Sequence, residues 1–264
     1  MNLYWKPMPY YWIRNGNVLK SFKRNEVSTA IAALKMYILI VLTSNKDTEG
    51  TYSSSITYDQ ITKSAAISRK LVSAGFKKLF ELNLIDFSGV RKKKYFLMGV
   101  THLRMDDMKF SPQRARFSSN QGYWAKTPNV GLIDEAGRIT AFEAMTNRSH
   151  LELNSLKLFI YLLSIKSKGT VVISVSPSKI RNNIGVSYPD IFTAIGFMQS
   201  IGMIYRANLG TNTISYHEPS LSIHFLLCGW ESLEWKPNYV SDSEWKERFL
   251  SDAFPDLEIP RRSR

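Results

Sequence analysis

The stretch Thr57-Tyr58-Asp59-Gln60-Ile61-Thr62-Lys63-Ser64-Ala65-Ala66-Ile67-Ser68-Arg69-Lys70-Leu71-Val72-Ser73-Ala74-Gly75-Phe76-Lys77-Lys78-Leu79-Phe80-Glu81-Leu82-Asn83-Leu84-Ile85 contains two helix starts in close succession. Thr57 followed three residues later by Gln60 fits a capping box, in which each side chain satisfies an amide of the other's end. A short helix to about residue 64 follows from it. Ser68 is a second N-cap, and it predicts a helix over 69–82. Val72, Phe76 and Leu79 recur at steps of four and three, which gives that helix one buried stripe. Arg69, Lys70, Ser73 and Lys77 fall outside the stripe. Leu84-Ile85-Asp86-Phe87 reads as a strand, 89–94 as a basic turn and Tyr95-Phe96-Leu97-Met98 as the returning strand.

Upstream, residues 27–44 read as a long helix that is apolar nearly all round at 36–42 and is therefore central. A short strand ends near Ile56. Further upstream, Asn15-Gly16 is a dipeptide that tolerates the positive φ angles of a two-residue turn, so residues 11–19 are expected to form a hairpin. The whole order recurs at a separation of about 119–122 residues. Leu34-Lys35-Met36-Tyr37-Ile38-Leu39-Ile40-Val41 matches Leu156-Lys157-Leu158-Phe159-Ile160-Tyr161-Leu162-Leu163, and Tyr4-Trp5 matches Tyr123-Trp124. The caps recur too, at Ser176-Pro177 and at Ser187-Tyr188-Pro189. In the second copy a helix is expected at 153–165, a strand at 171–175, and strands at 203–207 and 214–217 around a neutral turn, 209–213. The expected organisation is a basic first domain at 1–100, a polar linker at 101–122, a second domain at 123–229 and a tail at 230–264. In the tail, Ser241-Asp242-Ser243-Glu244 is expected to cap a short helix to Ala253, with Trp245, Phe249 and Leu250 on one face.

Thr57 to Ile85, with the hairpin after it, resembles the helix-turn-helix of winged-helix DNA readers. Pro9 near the start and Lys35, Tyr37 and Leu42 in the long helix resemble the winged-helix domains of plasmid and phage replication initiators. The resemblance implies an α+β fold of two tandem winged helix-turn-helix domains. It implies a sequence-specific, double-stranded DNA-binding protein that occupies repeated origin sites and engages host replication proteins. In such domains the start of the third helix enters the major groove. Those positions are Ser68, Arg69, Lys70, Ser73 and Lys77 here, with Arg69 or Lys70 suited to guanine edges. Thr57 and Tyr58 are placed to bind phosphate, and Arg91, Lys92, Lys93 and Lys94 to track the backbone from the wing. Four adjacent cations on a short turn repel one another, which favours an anionic partner over a merely solvated turn. The corresponding helix of the second copy has no Lys or Arg, so it suits protein docking or self-association through Ile191, Phe192 and Ile195; Lys179 and Arg181 remain as possible phosphate contacts. A promoter-binding regulator is the alternative reading, and a winged-helix protein that binds only protein is a third.

Charge agrees with a polyanionic partner. Formal net charge is +13, with 20 Lys and Arg against 8 Asp and Glu in residues 1–122 and 15 against 14 in 123–264. A 44% apolar, 12% aromatic composition excludes wholesale disorder. The longest uninterrupted apolar run, 36–42, falls far short of the ~20 residues of a membrane helix, and no signal peptide is expected, since no charged stretch followed by an apolar one opens the sequence. With one cysteine, Cys228, no internal disulfide is expected, and a reducing cytoplasm is the natural compartment. His102, His150, His217 and His224 lack metal-ligand spacing, and no phosphate-binding glycine loop ends in Lys-Ser or Lys-Thr. Glu234-Trp235-Lys236 and Glu244-Trp245-Lys246 are too short a pattern to indicate a nuclease. No enzyme activity, metal, cofactor or membrane contact is expected.

Overall fold

A helix whose residues are apolar on every face has to be surrounded, and every residue from 30 to 42 is buried. In a computed structural model of the chain, the elements run β1 (Trp5–Pro9), α1 (Tyr11–Asn15), α2 (Val18–Ser21), a 3-10 turn (Arg24–Glu26), α3 (Val27–Thr43), β2 (Asn45–Lys46), β3 (Tyr52–Ser54), α4 (Tyr58–Ala65), α5 (Arg69–Glu81), β4 (Ile85–Ser88), β5 (Lys94–Arg104), β6 (Phe110–Arg116), β7 (Trp124–Pro128), α6 (Thr140–Glu143), α7 (His150–Ile165), β8 (Ile173–Val175), α8 (Pro177–Ile184), α9 (Tyr188–Ser200), β9 (Ile204–Asn212) and β10 (Ser220–Leu227). The structure describes residues 5–15, 17–90, 92–104, 110–118, 120, 122–166, 170–212, 220–230 and 254, with backbone alone at 101–104, 110–112, 211, 212 and 220. The chain is α+β, and the order helix, strand, helix, helix, hairpin appears from α3 to β5 and again from α7 to β10.

Local chemistry starts these helices. Thr57 and Gln60 make both bonds of the capping box, Gln60 N to Thr57 Oγ1 at 3.3 Å and Thr57 N to Gln60 Oε1 at 2.8 Å. Ser149 and Glu152 do the same for α7. Ser68, Ser176 and Ser187 each accept an amide three residues on. Ala66 and Gly185 close α4 and α8 in the left-handed region. Helix α3 is long and apolar enough to span a membrane by length and composition, but it lies inside the protein, packed against α5 and α7.

Four sequence expectations change. Residues 11–19 form two short helices rather than a hairpin. The Ile13 and Arg14 amides both donate to Tyr10 O, and the Trp12 indole reaches Gly99 O at 3.2 Å. Gly16, the expected turn residue, lies outside the described residues. The described part of 101–122 does not form a linker, because β6 pairs with β5 from Met98↔Arg116 to Arg104↔Phe110. The second hairpin differs from the expected one: Leu209 to Asn212, expected in its turn, lie inside β9 and pair with β10, which begins at Ser220, and the expected strand at 214–217 lies outside the described residues. Ile191 and Ile195 are core residues and offer no docking face. The expected tail helix lies outside the described residues; of the tail, Trp230 and Phe254 are described and both are buried.

The two halves are tied by exchanged segments. β1 pairs antiparallel with β7, Trp5 opposite Pro128, Pro7 opposite Lys126 and Pro9 opposite Trp124. Because the repeat aligns Trp5 with Trp124, that register maps onto itself when the halves are swapped. The α6 segment of the second half packs on α4, and α2 of the first half packs on α8. Lys35 on α3 donates to Phe142 O across the join at 2.9 Å.

Candidate nucleic-acid interface

Helix α5 presents two faces. Val72, Gly75, Phe76 and Leu79 are buried, while Ser68, Arg69, Lys70, Ser73 and Lys77 are exposed. The buried face comes very close to α3, since a Cβ on Gly75 would lie 2.6 Å from Met36 Sδ and 3.2 Å from the Ala33 amide nitrogen. That contact fixes how far the outer face projects. The Arg69 guanidinium ion-pairs with Asp59, so the first turn of α5 meets the first turn of α4. Both side chains are about three-quarters exposed, 71% and 75%. An exposed pair of this kind contributes little stability and exchanges readily for another partner.

At the start of α4 the Thr57 hydroxyl is engaged with Gln60, so it is not a free phosphate ligand. The helix end itself remains, with first-turn amides that have no intrahelical acceptor. Tyr58 is half-buried, its ring against Phe76. A groove of about 550 Å³ separates this end from the β4–β5 turn, lined by Ser55, Thr57, Tyr58, Lys92, Lys93 and Tyr95. Lys92 and Lys93 are exposed, and Lys93 lies over the Phe87 ring at 5.3 Å. Arg91 lies outside the described residues.

The expected cation cluster is thus smaller than the sequence indicates. Lys94 turns away, half-buried over Phe96 with its ammonium 3.6 Å from Asp47. Lys78 is held by Glu26 at 3.0 Å. What the structure brings together is Thr57, Tyr58, Ser68, Arg69, Lys70, Ser73, Lys77, Lys92 and Lys93. Two further arginines come from β6. Arg114 donates to Leu82 O and Asn83 O and lies 4.0 Å from the Trp12 ring, and Arg116 pairs with Asp86 at 2.9 Å. Arg114 fastens β6 to the α5–β4 turn and Arg116 fastens it to β4. Strand alternation was hidden there by a segment that reads as polar and basic throughout.

The second half repeats the surface with other chemistry. At a separation of 119, Arg69 becomes Tyr188, Lys70 becomes Pro189, Ser73 becomes Phe192 and Lys77 becomes Gly196. Tyr188 and Phe192 are 41% and 44% exposed. They line a groove of about 630 Å³ with Ser176, Pro177, Lys179 and Leu221. No family model, no curated protein and no solved structure gives a significant match to this chain.

Proposed function

We propose that the chain is a sequence-specific, double-stranded DNA-binding protein built of two tandem winged-helix units, acting as a replication initiator at repeated origin sites. The observation that carries the DNA reading is convergence: the α4 start, the outer face of α5 and the β4–β5 turn meet through the Arg69–Asp59 pair and the Lys92–Lys93 groove. A helix laid in the major groove through Arg69, Lys70, Ser73 and Lys77 reads base edges, and Lys92 and Lys93 then lie beside the backbone. Asp59 releases Arg69 to a guanine or a phosphate. Unequal halves support the initiator role, because α9 offers aromatic and neutral groups where α5 offers cations. One half reads sequence while the other positions and assembles. No metal, cofactor or catalytic step enters this reading.

The test is selection of bound duplexes followed by titration. Arg69→Ala is expected to relax base preference, since each lost bidentate pair removes about 1–3 kcal/mol of discrimination. Changing Lys92 and Lys93 to Ala is expected to weaken binding to all sequences alike and to reduce the salt slope by about 0.9 per lost phosphate contact. A full-length protein that selects no sequence and shows no salt-dependent duplex binding would overturn the proposal.

A further inference from the structure

Counted along the chain, the positive charge belongs to the first half. Counted in space, part of it reaches the second half. From residues 18–26 the α2 helix packs on α8 and Lys20 and Arg24 reach the second half, while Glu26 stays with Lys78 of the first. The Lys20 stem covers Gly185, where the α8–α9 turn begins, its Cγ 3.3 Å from the point a Cβ there would occupy. The Arg24 guanidinium reaches Asp190 in the first turn of α9 at 2.5 Å. Arg181 on α8 lies over the Tyr188 ring at 5.2 Å, and Lys179 lines the groove beside Tyr188 and Phe192. Lys20, Lys23, Arg24, Lys179 and Arg181 are all exposed. Among the described residues, Asp190 is the carboxylate that pairs with any of them, and Arg24 takes it. Beneath this surface the Lys157 ammonium is held down at about 8 chiefly by its burial, with a smaller contribution from Arg24.

The exchanged segment thus covers the α8–α9 turn, which lacks cations of its own at the start of α9, with cations from the other half. Gathering like charges around one turn costs Coulomb energy that a polyanion relieves. We infer that Lys20 and Lys23 of the N-terminal segment, with Lys179 and Arg181 of α8, form a second phosphate-binding surface for the DNA backbone, composite between the halves. The inference rests on the DNA-binding reading above and deepens it. The second half grips backbone without reading bases, as the first turns of α9, residues 188–198, hold no Arg, Lys, Asn or Gln. Phosphate contacts fix register and orientation, and the α5 face specifies.

The experiment uses the full chain and a random-sequence 30-base-pair duplex as the probe, with affinity measured against salt. Lys20→Gln, Lys23→Gln and Lys179→Gln together keep the aliphatic stems and remove the charges. The expected result is a salt slope lower by about 2–3, at roughly 0.9 per contact, with a melting temperature no lower than the wild type's, since the substitutions also relieve the repulsion. The Arg triple at the same positions is expected to retain the wild-type slope, which separates charge from packing. If the Gln triple keeps the wild-type slope while the Lys92 and Lys93 variants lower it, the composite surface is overturned and the DNA-binding function stands. If the wild-type chain shows no salt-dependent binding, both fall together.

Discussion

Lys35 and Lys157 occupy matching positions on α3 and α7, and both are buried. Burial opposes their charge and lowers both to about 8 from an ordinary 10.5; Glu152 partly offsets this for Lys35, and Arg24 adds to it for Lys157. The folded protein therefore gives up these protons more readily than the unfolded chain. Stability is lowest below about pH 8 and rises as pH climbs towards 10.5, where the unfolded chain also loses them. From pH 7 to 9 the gain is about 1 kcal/mol for each lysine. Tyr95, pushed up by burial to about 12, and Tyr37, raised further by complete burial, act oppositely but only above about pH 10. Urea unfolding of the wild type should thus show a higher midpoint at pH 9 than at pH 7, and Lys35→Met should roughly halve that rise. A midpoint that falls between pH 7 and 9 in the wild type would contradict the buried, charged lysines.

At the scale of elements, capping was legible and pairing was not. Thr57, Ser68, Ser176 and Ser187 start helices where the sequence places them, because a cap is a local bond between a side chain and an amide three residues away. The long helices were legible from unbroken apolar runs. The segment 11–19 was not, because its helices are held by distant groups, Trp12 on Gly99 O and Tyr10 N on Tyr123 O. Strand β6 was missed for the same reason: its order comes from β5 and from what Arg114 and Arg116 reach. For the candidate interface, Arg69, Lys70, Ser73 and Lys77 were legible from the apolar stripe they leave uncovered, whereas the diversion of Lys94 to Asp47 needed the fold. Gly75 shows the same limit. Its helical position gives no hint that α3 passes so close, yet Ala194, also small, stands at the matching place on α9. Gly75→Val forces two methyl groups against α3 and should cost about 1–3 kcal/mol, read as a lowered urea midpoint. A wild-type midpoint for that variant would mean the helices can separate at no cost.

For the whole molecule, the exchanged segments decide how it unfolds. The sequence suggested two domains joined by a linker at 101–122, each with its own core. The join is instead made of secondary structure. β1 depends on β7 for its ladder, the stacked Trp5 and Trp124 rings lie 5.5 Å apart across it, and Tyr37 donates from α3 to Pro9 O at 3.0 Å. The Ile139 amide donates to Ser64 O, and the Asn147 amide group donates to Ala66 O, so α6 and the turn after it close the end of α4 from the other half. One hydrophobic cluster runs from Met8 through α3 and α7 to Cys228. Neither half can lose its fold without exposing β1 or β7, or the faces of α3 and α7 that meet. The chain should therefore unfold in a single transition, with calorimetric and van't Hoff enthalpies equal. Removing residues 1–9 deletes β1, leaves the β7 edge and the Trp124 ring uncovered, and should lower the melting temperature of the entire protein rather than of one part. Two resolved transitions in the intact chain, or a fragment 123–264 as stable alone as in the whole, would show that the exchange contributes nothing to the stability of either half.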